Sequence, residues 1–340
     1  MRRMEQYWYR LTFLNALLLP FALLFAIGVG LRRLLYLIHA IPSHRLPVPV
    51  VIIGNITAGG TGKTPLVIWL ANFLQQQGWR PGIISRGYGG SAKIPQAVKP
   101  DSDPVIAGDE PVLLARRCRC PVWIGRNRAA AGQALLAAHP ECNVLVSDDG
   151  LQHYRLRRDM EIAVVDGERA FGNGLPLPAG PLREMPWRLD QVDAVVINQA
   201  CEEVAPEPIT EKPYSFPMRL TGDTFYNLTN PGRTIAAADL RGKQLHALAG
   251  LGHPQRFFRH LQKLGLSAVA HPFPDHYLYQ PEDLRWPEAE AVLMTEKDAV
   301  KCEKLADEKC WALKIEAQVP PKLGERVLNK LKACHGSQTA

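Results

Sequence analysis

A run of β-branched residues (Val50–Ile53) is followed by GNITAGGTGKTP and then by a helical pattern. Within it, Thr57-Ala58-Gly59-Gly60-Thr61-Gly62-Lys63-Thr64 keeps the phosphate-loop spacing G-x-x-x-x-G-K-[ST] except at its first position, where Thr57 replaces Gly. The chemistry tolerates that change. Gly59, Gly60 and Gly62 let backbone N–H groups converge on phosphate oxygens, and the helix start adds its dipole. Lys63 is placed for the β- and γ-phosphates, and Thr64 offers a hydroxyl to Mg²⁺. A second landmark is VLVSDDG, an apolar strand ending in Asp148 and Asp149. Adjacent carboxylates at the tip of a buried parallel strand suit a Mg²⁺-binding acid and its partner, or else a solvated turn. Gln152 and His153 follow closely enough to share that site. The chain has no N-K-x-D guanine signature, so ATP is the expected nucleotide. Asn198 ends a strand where a base could be touched.

Four further groups have both chemical and structural readings. Asp109, in GDEP, reads as an N-cap or as a catalytic carboxylate. Arg86-Gly87-Tyr88-Gly89-Gly90 is a loop suited to an acidic or nucleotide ligand, or a plain turn. Arg183 and Glu184 follow a Gly/Pro-rich loop, where they could be a surface pair. Asp275-His276 follows a strand and could hold a proton, or be structural.

These side chains need a scaffold that brings strand ends together. From Pro47 onward, short apolar runs (Val50–Ile53, Gly82–Ser85, Pro121–Ile124, Asn143–Ser147, Ile162–Val165, Ala194–Ile197) alternate with helical patterns. That alternation predicts an α/β fold with a doubly wound, mainly parallel sheet. A Pro- and Glu-rich connection over 201–216 precedes a second alternation. Its expected strands are Gln244–Ala249, Ala268–Phe273, Ala291–Thr295 and Trp311–Ile315, with helices near 254–264, 298–306 and 320–332. The expected organisation is an N-terminal helix over 1–40, a P-loop ATP-binding domain over 41–215 and a smaller α/β domain over 216–340.

The N-terminus differs from the rest in charge and in hydropathy. Leu11–Leu31 carries no charge and is flanked by Arg2, Arg3 and Arg10 before it and Arg32 and Arg33 after it. That length is enough to cross a bilayer, or to lie in one leaflet. Tyr7, Trp8, Tyr9 and Tyr36 suit headgroup depth. Of the formal net charge of +7, the first 45 residues carry six Arg and one acid, leaving 34 basic against 32 acidic residues elsewhere. The basicity therefore points to a membrane surface and not to nucleic acid. Seven Cys without metal-binding spacing indicate a reducing compartment.

Taken in order, GNITAGGTGKTP, RGYGG, GDEP, SDDGLQH, PLRE, AGLGHPQRFF, FPDH and MTEKDAVK resemble the tetraacyldisaccharide 4′-kinases, the lipid A 4′-kinases of Gram-negative bacteria, over nearly the whole chain. Thr57 resembles that family's own Ser/Thr variant of the loop, whereas His253 stands where Asn is expected. The resemblance implies transfer of the ATP γ-phosphate to the 4′-hydroxyl of a tetraacyldisaccharide 1-phosphate, giving lipid IVA. It further implies Asp109 as the base, supported by His276, with Thr64, Asp148 or Asp149, and Glu184 near Mg²⁺. Lys63 and Arg183 would neutralise transferring charge. The expected setting is the cytoplasmic face of the inner membrane, with a glycolipid substrate and no obligate protein partner evident. A membrane-attached NTPase acting on a protein, or a tethered nucleotide sensor, would use the same loop.

Overall fold

The computed structural model describes residues 7–92, 94–199 and 214–336. The larger of its two sheets runs, in spatial order, β15 (Glu316–Gln318), β8 (Ser215–Thr221), β7 (Ala194–Gln199), β6 (Met160–Asp166), β1 (Val50–Gly54), β5 (Val144–Asp148), β2 (Pro81–Ser85), β4 (Val122–Ile124) and β3 (Gln96–Val98). From β8 through β4 every neighbour is parallel, and only the edge strands β15 and β3 pair antiparallel. Every residue of β1, β2, β5 and β6 is buried. Helices cover both faces of a parallel sheet, which is why these strands read as unbroken apolar runs without alternation.

The eight helices discussed are α1 (Phe13–Leu37), α2 (Lys63–Gln76), α3 (Pro104–Ala107), α4 (Asp109–Arg117), α5 (Arg128–Ala138), α6 (Pro254–Lys263), α7 (Glu296–Cys302) and α8 (Pro321–Gly336). On one face of the large sheet, Leu66, Leu70 and Leu74 of α2 are fully buried, in a cluster that also takes Leu323, Val327 and Leu331 of α8. Ala131 and Leu135 of α5 cover the other face together with Leu46 and Leu151.

The smaller sheet runs β10 (Thr234–Ala236), β9 (Thr224–Asn227), β14 (Cys310–Leu313), β13 (Ala291–Thr295), β11 (Leu245–Ala249) and β12 (Ala268–Pro272). Strands β14, β13, β11 and β12 are mutually parallel, and β9 and β10 are antiparallel additions. The parallel strands were legible as apolar runs. The antiparallel edges were not: β3, β10 and β15 have only three residues each and mix polar with apolar positions.

The sheets do not divide at residue 215. Strands β8 and β15 both extend the large sheet, and α8 is part of its core, so the chain crosses to the smaller sheet after Thr221 and returns after Leu313. The expected connection lies mostly outside the described residues, as does Cys201.

Helix α1 is longer than its uncharged stretch, running unbroken through Pro20 and past Arg32 and Arg33. It is long and apolar enough to cross a membrane. Phe13, Leu17, Phe21, Leu24, Ile27 and Leu31 are all more than half exposed. Its buried polar residue is Asn15, whose Nδ2 donates to the carbonyls of Tyr7 (3.1 Å) and Ala179 (2.7 Å). That side chain fastens the start of the helix to the loop before Arg183.

Candidate active site

Both sheets point the C-terminal ends of their parallel strands at one cleft of about 780 Å³. Ligands of open α/β sheets bind at such strand ends. From the large sheet come the segment after β1 (the phosphate loop) and the segment after β5 (Asp148–Gln152). From the smaller sheet come the segments after β11 (Leu251–His253), β12 (Asp275, His276) and β13 (Glu296, Lys297). Phe25, Val29 and Arg32 of α1 line the same cleft.

The phosphate loop is held open by its backbone. Gly62 sits at φ 90°, and a Cβ there would lie 2.4 Å from Asn198 Nδ2, so only glycine fits. Asn198 Nδ2 donates 3.0 Å to the carbonyl of Thr61. This side chain braces the loop, a role the sequence did not reveal: strand-end placement had suggested contact with a base. Arg169 donates to the carbonyl of Gly60 and reaches Asp166 Oδ2 at 2.8 Å, tying the loop to the end of β6.

The two aspartates are held differently. Asp149 lies 3.3 Å from Lys63 Nζ and 3.2 Å from Arg183 Nη1. Burial alone would raise its pKa, but Lys63, Arg183 and Arg128 outweigh that and hold it below the usual carboxylate range. Its φ of 47° turns the chain sharply off the strand tip. Asp148 is 1% exposed; burial, then the negative charges of Glu110 and Asp149, push its pKa up to about 7. Ser85 Oγ donates to Asp148 Oδ2 at 3.3 Å, and Oδ1 has no hydrogen-bond partner among the described residues.

A buried carboxylate oxygen without a donor, next to a loop carrying the Thr64 hydroxyl, fits a hard divalent cation. Mg²⁺ usually takes one or two carboxylates and completes its shell with waters and substrate phosphates. Accordingly, no group of three or more His, Cys, Asp or Glu among the described residues could by itself hold a metal ion. Glu184, expected near the metal, lies at the same cleft. Its Oε1 accepts a hydrogen bond from Tyr154 at 2.8 Å, and its Oε2 stands 3.1 Å from Arg188 Nε as an ion pair but has no hydrogen-bond partner among the described residues. Gln152 donates to the carbonyl of Asn55 at 2.9 Å and stays at the cleft. His153 accepts from the backbone of Arg128 at 3.3 Å; burial and the neighbouring arginines lower its pKa to about 3, keeping it neutral.

Asp109 and His276 meet across the lobes. His276 Nδ1 donates to Asp109 Oδ2 at 3.1 Å, and Asp109 is 4% exposed. Asp109 does not cap its helix as an N-cap: Gly108 holds that position, and Asp109 is the first residue of α4, its Oδ1 accepting from Glu110 N at 2.9 Å. Burial would raise its pKa, yet the His276 hydrogen bond and the Lys297 charge hold it below the usual carboxylate range. The same hydrogen bond raises His276 against the effect of burial. Tyr88 packs its ring on His276 at 5.1 Å between centroids, and a Cβ on Gly89 would stand 3.2 Å from His276 Nδ1. The RGYGG loop thus seats the imidazole. Lys297 follows β13, and its position beside the pair is a product of the tertiary structure. Its Nζ lies 3.1 Å from Glu110 and 3.2 Å from Asp275, bridging both lobes beside the pair.

The family description "Tetraacyldisaccharide-1-P 4′-kinase" matches residues 14–332 of the chain. The chain belongs to this family. It is 48% identical over 330 residues to the tetraacyldisaccharide 4′-kinase of Methylobacillus flagellatus, covering 97% of this chain and 96% of that protein. The enzyme of the same name from Dechloromonas aromatica is 51% identical over 317 residues, covering 93% and 92%. Among solved structures, the "apo" form of LpxK from Aquifex aeolicus in complex with ATP superposes with a TM-score of 0.81 at 31% identity, covering 94% of this chain and 99% of that one. The α/β architecture expected from the sequence is that of this kinase family.

Proposed function

We propose a division of labour among these residues in a chain that, by its family, is an ATP-dependent tetraacyldisaccharide 4′-kinase of lipid A biosynthesis. The loop Thr57–Thr64 cradles the ATP phosphates through its N–H groups, with Lys63 on the β- and γ-phosphates. Thr64 and Asp148 are the residues that would hold Mg²⁺, with Asp149 positioning Lys63 and Arg183. The cation, when bound, neutralises charge between the phosphates. Asp109 accepts the proton of the sugar 4′-hydroxyl, and His276 holds its carboxylate in place. Since phosphoryl transfer leaves a protein mainly positioning and charge stabilisation to do, a low-pKa base suffices when the proton moves late. The observation carrying this reading is the Asp109–His276 contact at 3.1 Å, made by residues of opposite lobes in the cleft that holds the phosphate loop.

The acyl chains of such a substrate stay in a bilayer, which places the enzyme at the cytoplasmic surface of the inner membrane with the exposed face of α1 as its anchor. The test incubates purified protein with Mg-ATP and a tetraacyldisaccharide 1-phosphate in micelles. Mass spectrometry is expected to find a product heavier by one phosphoryl group. ATP hydrolysis that is indifferent to glycolipid and stimulated by protein would favour an NTPase instead.

The acid–base pair also fixes a pH dependence of stability. His276 has a raised folded pKa, so its contribution is complete below its unfolded value near 6.5 and is lost as pH rises through the folded value. Asp109 has a lowered one, so its contribution is present above about 3.8 and is lost as pH falls through the folded value. The pairing is therefore strongest between those two values. His276→Gln is expected to lower the melting temperature more at pH 6 than at pH 9; equal losses at both would show that the two side chains are not ionised partners.

A further inference from the structure

A second cavity, of about 560 Å³, opens beside the last turn of α1 and is separate from the phosphate loop. Its lining includes Arg33, Arg45 and Arg157. None of the three has a carboxylate at hydrogen-bond distance among the described residues. Arg33 lies over the ring of Trp187 at 5.0 Å, and Arg157 Nε donates to Ser43 Oγ at 3.0 Å. Arg45 is 3.8 Å from Asp159, whose other oxygen already accepts from the backbone of Val50. The acids at the floor are consumed as well: Glu161 binds Arg158 at 2.7 Å and Arg188 at 2.6 Å. Arg188 is itself 2% exposed. The lining acids Asp159 and Glu161 are matched by Arg45, Arg158 and Arg188, which leaves the charges of Arg33 and Arg157 in excess and makes the cavity cationic.

Its surroundings are apolar. Leu34 and Leu37, in the last turn of α1, and Ile38 just after it are 51%, 65% and 61% exposed and continue the uncovered apolar face of that helix. Arg33 and Arg157, which have no carboxylate partner among the described residues, and Arg45, held only by the long pair to Asp159, match an amphiphile with an anionic head, since guanidinium pairs well with phosphate oxygens and the apolar ledge takes hydrocarbon. We propose that this pocket binds the phosphate of an anionic phospholipid headgroup, one lipid per chain, and so sets the depth and rotation of the enzyme on the membrane. This rests on the reading of α1 as a membrane anchor. Tyr154 lines both cavities and donates to Glu184, so the bound headgroup sits one side chain away from the catalytic cleft.

The test uses the full chain and phosphatidylglycerol. In native mass spectrometry from neutral detergent, the wild type is expected to retain one phosphatidylglycerol, and the triple variant Arg33→Gln, Arg45→Gln, Arg157→Gln none. A basic residue near an anionic surface is worth about fivefold in binding, so adding about one-quarter phosphatidylglycerol to phosphatidylcholine vesicles should favour wild type over the triple variant on the order of 100-fold at low salt. Arg45→Gln alone should lose about fivefold, which keeps the test open if the triple variant folds poorly. A control carrying Lys243→Gln, Arg285→Gln and Lys304→Gln should behave as wild type; an equal loss there would reduce the effect to general surface charge and overturn the pocket. Displacement of the lipid by millimolar inorganic phosphate would also overturn it, as would a raised KM for glycolipid of the triple variant in neutral micelles, which would assign the pocket to the substrate's own phosphate. Failure of wild type to bind phosphatidylcholine vesicles, with phosphatidylglycerol still retained in detergent, would refute the anchor and leave the pocket standing.

Discussion

Lys63→Ala is expected to lower kcat/KM by about 10²- to 10³-fold, the usual cost of removing one preorganised charge at a developing anion. Lys63 Nζ is 3.3 Å from Asp149, which holds its charge at the phosphate loop. The fold should survive the substitution, because Asp149 keeps Arg183 at 3.2 Å and the loop keeps its backbone anchors from Asn198 and Arg169. Steady-state kinetics together with a thermal melt separate the two effects. Near-normal turnover would show that the phosphates do not lie on this loop. Lys63→Arg should recover little, since a planar fork on a longer stem does not place its charge where a compact ammonium does.

Asp109→Asn is expected to lower kcat by about 10²- to 10⁴-fold while leaving ATP affinity close to normal, the range for loss of a positioned proton acceptor. Asparagine keeps the size of the side chain and an oxygen for the backbone N–H of Glu110, so the start of α4 is preserved. What it removes is the negative charge next to His276 and Lys297. A variant with normal kcat and a lowered melting temperature would assign Asp109 to the helix start alone. His276→Ala should cost less than Asp109→Asn, because the imidazole positions the carboxylate and the sugar proton goes to Asp109.

The contact between these two residues depends on how the lobes are held. Lys297 reaches Glu110 at 3.1 Å, Arg117 reaches Glu296 at 2.6 Å, Arg256 reaches Asp166 at 2.9 Å and Arg259 reaches Glu168 at 2.9 Å. All four are charge pairs between residues of the two lobes at the margins of the cleft. Individually, partly exposed pairs contribute little to stability. Together they fix the orientation of two sheets that, among the described residues, are joined by two crossings of the chain.

The amino-acid sequence by itself determined the elements whose signals are local. Strand β1, the glycine-rich turn and α2 follow from an unbroken apolar run, three glycines and a helical period in one continuous segment, and the aspartates at the end of β5 follow from the next such run. The apolar helix α1 was legible for the same reason, as a charge-free stretch between arginines, and the ordered set of motifs identified the family.

What only the tertiary structure decided depends on residues far apart in the chain. Asp109 and His276 are 167 positions apart, and their pairing needs α4 and the end of β12 to face each other. The neighbours of Glu184, Tyr154 and Arg188, are likewise set by the tertiary structure and not by its place in the sequence. Asn198 becomes a brace because β7 ends beside the phosphate loop. Strand β15 and helix α8 join the large sheet and its core although they follow the whole of the smaller one, because closing that core favoured burying Leu323, Val327 and Leu331 against α2. Hydrophobic period specifies which face of an element is buried, but it carries no address for the partner; the choice of partner is made by packing and charge once both lobes are in place.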